Sequence, residues 1–182
     1  MIPRSLTAKI LRPPPPKQKN HKLIFTHRCE MKINAKAIIK DDLNWFLAKM
    51  SGIQAFSVLS NKELMEIVSQ MKAFEFKEGT TLVNQGESAN LFFIVQEGEV
   101  EVSVKKFLFR EKKVAVLGSG DFFGESVLVS NSKRTATVTA TADTTCFVLL
   151  KPSFKSMLIQ NPLFKENIKA VFSRRKMQLK KT

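Results

Sequence analysis

One arginine and one glutamate nine residues apart carry the chemical content of this sequence. Between Asp121 and Val138 the chain reads DFFGESVLVSNSKRTATV. Gly124 permits a tight turn with close backbone approach, and the Glu125 to Val129 segment can form a short helix whose first N–H groups point at an anion. Arg134 follows, at the start of a strand expected from Arg134 to Thr141 in which Ala136, Val138 and Ala140 share a face. Strict alternation puts Arg134 on that same inward face. A guanidinium there cannot shed its proton, so it needs an anion or an array of acceptors to offset desolvation. Taken alone, the pattern also allows an arginine that snorkels to the surface from a strand's first residue. A fixed cation beside unpaired N–H donors makes a phosphate site, and Glu125, an acceptor-only group, would repel phosphate but receive a hydroxyl. Phosphate next to a free hydroxyl describes a ribose phosphate.

The elements that must position these residues follow from the periodicity. From Asp41, the apolar residues Leu43, Phe46, Leu47 and Met50 recur at helical spacing. Ser60 and Glu63 then form a capping box ahead of Leu64, Ile67, Val68 and Met71. After Met71 the period drops toward two, and Gly79, Gly86, Gly98, Gly118, Gly120 and Gly124 punctuate it. Short strands with turns at this interval predict an all-β sandwich or barrel. The clearest strand is Glu99 to Lys105, with Val100, Val102 and Val104 on one face. Beyond Leu150, Pro152 and Ser153 open a helix through Ile159. Pro162 precedes another, with Phe164, Ile168, Val171 and Phe172 on its apolar side and Lys165, Lys169, Arg174, Arg175 and Lys176 on its polar face and end.

These residues resemble the phosphate-binding cassette of the cyclic nucleotide-binding domain family, in which FGE is followed by a small-residue turn and then by Arg, a small residue and Ala. The glycine-spaced framework of Gly79, Leu82, Gly86, Phe92, Phe93, Ile94 and Gly98 is similar as well, as is FSVLSNKELMEIVSQM over Phe56 to Met71. The resemblance spans about residues 41 to 175. It implies a mainly β fold with flanking helices: a jelly-roll barrel, or double-stranded β-helix, of about eight strands with N-terminal helices and a C-terminal lid helix. It further implies that Glu125 accepts from the ribose 2'-OH and Arg134 pairs with the exocyclic phosphate oxygens. The backbone N–H groups of Gly124, Ser126, Val127 and Ala136 would complete the cradle, and Phe164, Ile168 and Phe172 are candidates to cap the base. Thr135 resembles the Thr that contacts a guanine held syn in some relatives, but cAMP-preferring relatives carry it too. Val127 departs from the small residue the family favours, and its methyls would narrow the site.

The chain's 182 residues carry a net charge of +14, distributed very unevenly. Residues 1–40 carry +9, residues 41–164 carry −1 and residues 165–182 carry +6. The body is neutral and both ends are cationic, which suits weak, salt-screened contact with a polyanion but no sequence reading, since no zinc-finger or helix-turn-helix pattern is present. Pro13 to Pro16 impose extended geometry on the N-terminal arm. The expected organisation is a flexible basic arm (1–40), a binding domain (41–175; helices 41–71, β-roll 72–150, C-terminal helices 151–175) and a basic tail (176–182). Cys29 and Cys146 give no disulfide framework, and no signal peptide or membrane span is legible, so a cytoplasmic location is expected.

Catalysis requires a nucleophile, a metal or an acid/base pair in one cleft. Both histidines, His21 and His27, fall in the arm, so no metal centre can be built from the barrel. The sequence therefore predicts a non-enzymatic sensor of cAMP or cGMP, with no cofactor and no metal. Such a sensor, monomeric or homodimeric, would signal to an effector protein in trans through its C-terminal helix. The alternative is a degenerate fold that binds no nucleotide and serves as a scaffold with a polyanion-binding tail. The chain is too short for an attached kinase, pore or DNA-reading domain.

Overall fold

The computed structural model describes residues 34–105, 111–128 and 133–181. They belong to one compact unit, Lys32–Thr182. A short strand, β1 (Asn34–Lys36), leads into helices α1 (Lys40–Ser51) and α2 (Asn61–Ser69). Eight strands follow: β2 (Lys72–Phe76), β3 (Thr81–Val83), β4 (Leu91–Glu97), β5 (Val100–Lys105), β6 (Glu111–Leu117), β7 (Phe122–Phe123), β8 (Thr137–Ala140) and β9 (Thr144–Leu150). Helices α3 (Lys151–Gln160) and α4 (Pro162–Lys181) complete the fold. The strands form two antiparallel sheets, ordered β1-β2-β9-β4-β7 and β3-β8-β5-β6, in the expected roll with helices at both ends.

Local sequence chemistry accounts for the helix starts. Ser60 accepts from the Glu63 amide at 3.3 Å while Glu63 accepts from the Ser60 amide at 2.8 Å, as the capping box predicts. At α1 the acidic first turn is used differently: Asp42 is buried, receiving the Ile39 amide at 2.9 Å and the Gln96 side chain at 2.7 Å. The helix is thereby pinned to β4 as well as capped. Phe46, Met50, Leu64, Ile67 and Val68 turn inward, as their spacing requires.

The main core lies between the helices and the five-stranded sheet, and it is aromatic. Phe92 stacks on Phe154 with centroids 4.4 Å apart, Phe56 contacts Phe122 at 5.4 Å, and Phe164 meets Phe56 at 5.1 Å. Phe164 and Ile168 of α4 are fully buried in this cluster. The lid helix is thus rooted in the core by its first two turns.

Three expectations need correction. The basic arm does not end at residue 40, because β1 pairs with β2 through Asn34–Glu75 to Lys36–Ala73. Residues 1–33 of the arm, Cys29 among them, lie outside the described residues. The tail does not begin at 176, because α4 continues unbroken to Lys181. The strand from Glu99 keeps its expected alternation against β8, Val100 opposite Ala140 and Val102 opposite Val138, while the register shift between Val102 and Ser103 inserts an extra residue on the β6 side. Ser103, on the other face, is buried and its hydroxyl donates to Glu111. Finally, the ladder containing Ala136 to Ala140 starts at Thr137, with Arg134 to Ala136 leaving it as a bend, although Arg134, Ala136, Val138 and Ala140 are all buried as alternation requires.

Candidate functional site

Arg134 is held where three strands meet. Its own backbone is clamped to the turn after β3, the amide donating to Glu87 O at 2.8 Å and the carbonyl receiving the Gly86 amide at 2.9 Å. Its side chain is only 6% exposed. Nη2 donates to Leu91 O at 2.7 Å, Nη1 reaches Gly124 O at 3.4 Å, and the guanidinium carbon lies 5.9 Å from the Phe93 ring centroid. The inward reading of the alternation is the correct one. No carboxylate touches this cation among the described residues; Glu125 and Glu87 act on it only through space. Burial therefore dominates and lowers its pKa to about 10, which leaves it fully ionised at neutral pH.

Gly124 makes this placement sterically feasible. Its φ is +93°, and a Cβ there would lie 2.7 Å from Leu91 O and 2.9 Å from Arg134 Nη1. The residues after it form a 3-10 turn, Glu125–Leu128, as the sequence suggested for Glu125 to Val129; Val129 itself lies outside the described residues. Glu125 and Ser126 are buried at 8% and 4% exposure, placements that polar side chains adopt when they are paired.

A cavity of about 510 Å³ opens in front of these groups. Gly124, Glu125, Ser126, Arg134, Thr135 and Ala136 line one end of it, a polar grouping that the sequence predicted. Its body is apolar, with Val83, Val102, Val114, Leu117, Phe123 and Val138 from both sheets. The amides of Glu125 and Ala136 make no hydrogen bond to other described residues, so two donors remain beside the cation. The Glu125 amide belongs to the short helix whose first N–H groups the sequence aims at an anion, although the resemblance did not single it out.

Val127 belongs elsewhere. Its amide is already committed to Gly124 O at 3.1 Å, closing the 3-10 turn, so it is not a free donor for an anion. Its side chain is fully buried in the helix-facing core and does not line the cavity. The methyls expected to narrow the site instead fill space behind it.

The lid also differs from expectation. Phe164 and Ile168 sit in the core and do not reach the cavity; of the three candidates only Phe172 lines it. The rest of the lid surface comes from the following turns of α4: Arg175, Lys176, Gln178 and Leu179. Arg175, assigned from sequence to the solvated face and end of the helix, turns inward. Its Nη1 donates to Phe122 O at 2.7 Å and to Glu125 Oε2 at 3.3 Å, and its head lies 4.8 Å from the Phe122 ring centroid. Glu125 thus stands between two guanidiniums, and with Lys176 the cavity carries more positive than negative charge. Such an arrangement suits a monoanion: the phosphate repulsion that Glu125 would exert alone is offset on both sides. Periodicity could not distinguish Arg175 from Arg174, because neighbouring positions differ by about 100° and either fits a helix border.

No group of three or more metal-ligating side chains occurs among the described residues, and no helix there is long and apolar enough to cross a membrane.

Comparison with known proteins agrees with this geometry. Residues 73–161 match the family model described as the cyclic nucleotide-binding domain. The chain is 31% identical over 131 residues to the cGMP-dependent protein kinase of Plasmodium berghei (strain Anka), an alignment covering 71% of this chain but 15% of that kinase. Among solved structures, the cAMP-bound PfPKA-R is similar at 28% identity and a TM-score of 0.63, covering 68% of this chain and 44% of that one. A cyclic nucleotide-binding domain from Methylobacillus flagellatus KT shares the fold at 18% identity, with a TM-score of 0.67 over 82% of this chain and 86% of that one. Residues 73–161 thus resemble the cyclic nucleotide-binding domain, and the roll and the geometry around Arg134 and Gly124 agree with that match.

Proposed function

We propose that the domain is a non-catalytic receptor for cAMP or cGMP, which it reports to an effector protein through α4. One observation carries the reading. A guanidinium that is 6% exposed and still ionised faces a cavity with only backbone carbonyls as hydrogen-bond partners among the described residues. A buried charge so poorly compensated is costly in the empty protein, and a singly charged phosphodiester would offset that cost. Arg134 and the amides of Glu125 and Ala136 bind the phosphate oxygens. The Glu125 carboxylate receives the ribose 2'-hydroxyl, and the apolar walls take the purine. Closure of α4 over the base changes the surface offered to the effector, to the extent that the nucleotide favours the closed arrangement. The cGMP-dependent kinase and the cAMP-bound structure among its relatives support the ligand class.

The test is a thermal-shift series with cAMP, cGMP and 5'-AMP, because a ligand raises the melting temperature only if the native state binds it. A cyclic nucleotide should raise it while 5'-AMP, with its extra charge and open phosphate, should not. Glu125→Gln should weaken binding of the ribonucleotide and leave the 2'-deoxy analogue nearly unaffected. Absence of any shift would support the scaffold reading instead.

A further inference from the structure

Helix α4 has two long sides, and the fold uses only one of them. Phe164 and Ile168 enter the core, while Phe172 and Arg175 face the cavity. The opposite side stands in solvent, yet it is not uniformly polar. Leu163 is 72% exposed and Met177 58%, two of the three most exposed large apolar side chains among the described residues. Ala170, also exposed, lies midway between them. Seven residues are two helical turns less about 20°, so the three form one nearly straight seam about 21 Å long.

The charges beside the seam are arranged about Ala170 as well. Glu166 stands four residues before it and Arg174 four residues after, both exposed. Arg174 pairs with no other described residue. Glu166 accepts from Lys169 through Oε1 at 2.8 Å, and its Oε2 receives no hydrogen bond from the described residues. Reversing the helix about Ala170 exchanges position 163 with 177 and position 166 with 174. The seam is therefore complementary to an antiparallel copy of itself. Leu163 opposes the partner's Met177, Glu166 opposes the partner's Arg174, and the two Ala170 side chains meet on the two-fold axis, where their small size lets the helices approach closely. A parallel pairing would instead set like charge against like charge at both positions. Residues 165–182 hold seven Lys/Arg and the single acid Glu166. Antiparallel pairing places that acid, near the start of one helix, beside the cationic end of the other, and it opposes the helix dipoles favourably.

We propose that the outward face of α4 is a homodimer interface, joining two copies of this chain as an antiparallel helix pair centred on Ala170. The face lies away from the cavity, so the pairing stands independently of the nucleotide-receptor reading. One helix pair of this length buries less than the roughly 1,200 Å² at the low end of standard interfaces, so the dimer is reversible, with a dissociation constant of about 10 µM to 1 mM.

The experiment is sedimentation equilibrium on the ligand-free full chain, from about 5 µM to about 1 mM, which spans that range. The unsubstituted protein should pass from monomer to dimer as concentration rises. Ala170→Lys, which sets two cations at the point of closest approach, should stay monomeric throughout. Glu166→Arg and Arg174→Glu should each weaken association about tenfold, because the two-fold axis repeats the altered pair. Combining the two restores opposite charges across the seam and should return the affinity to within about threefold of the parent. All three positions are exposed and none lines the cavity, so thermal unfolding should show each variant folded like the parent. A monomer at every concentration would overturn the inference. So would a dimer that Ala170→Lys leaves intact, which places the interface elsewhere, or a double variant no stronger than the single ones, which excludes the antiparallel register. Nucleotide binding by the same preparations is a separate measurement, and its failure would count against the receptor reading alone.

Discussion

Replacing Arg134 with alanine separates the cost of the binding site to the fold from its benefit to the ligand. In the empty protein the guanidinium is desolvated, and its depressed pKa corresponds to about 3 kcal/mol of unfavourable burial. Because the folded-state value lies below the unfolded one, that penalty is complete below about pH 10. It is relieved only as the pH rises through 10 toward the unfolded value, so stability at neutral pH feels all of it. Truncation removes the penalty but strips Leu91 O of its partner, a loss of about 1–3 kcal/mol where no water replaces it. The two effects oppose each other, and the adjoining cavity admits water, so the ligand-free variant should unfold within about 2 kcal/mol of the parent. Binding should behave differently. Losing one partner of a buried charge pair costs about 2–5 kcal/mol, so the dissociation constant for the cyclic nucleotide should rise by about 30-fold to several thousand-fold. Arg134→Lys should fall between, keeping charge without the fork. Urea denaturation and calorimetry on the same preparations provide both readings. A variant that loses much more than 3 kcal/mol of stability yet binds nucleotide within threefold of the parent would show Arg134 to be a structural residue and refute the reasoning.

Two further substitutions probe the shell around it. Gly124→Ala should destabilise the fold by about 2–4 kcal/mol, combining a left-handed backbone with contacts to Leu91 O and Arg134 Nη1. It should also abolish measurable nucleotide binding; full affinity in the variant would show that the guanidinium does not need this close approach. Val127→Ala should cost about 1–3 kcal/mol of stability as a core truncation and leave affinity unchanged. A tenfold gain in affinity would instead mean that the valine restricts the cavity.

Much of the cassette was legible in sequence because short-range rules govern it. Gly124 announces a close turn, and a period of two puts Arg134 on the inward face, although a strand's first residue can also snorkel outward and only its burial decides between the two. The capping box at Ser60 is local for the same reason: its two hydrogen bonds span three residues. Val127 shows where that logic ends. Its amide is consumed by a bond of the same 3-10 turn, and its side chain points to whichever layer the turn abuts, which no spacing specifies. Ser103 is similar, because its burial on the face away from the cavity depends on the neighbouring strand that carries its partner Glu111.

The sequence by itself determined the type of fold, the order of its elements and the cation-and-glycine heart of the site, because each follows from contacts between near neighbours or from strict alternation. Tertiary structure alone decided which part of the last helix reaches the cavity. Phe164, Ile168, Phe172 and Arg175 lie along overlapping sides of one helix, and only its docking on the aromatic core sends the first two into the interior and the last two over the site. Which side chains meet across fifty residues, as Arg175 meets Glu125, is fixed by how that helix is seated.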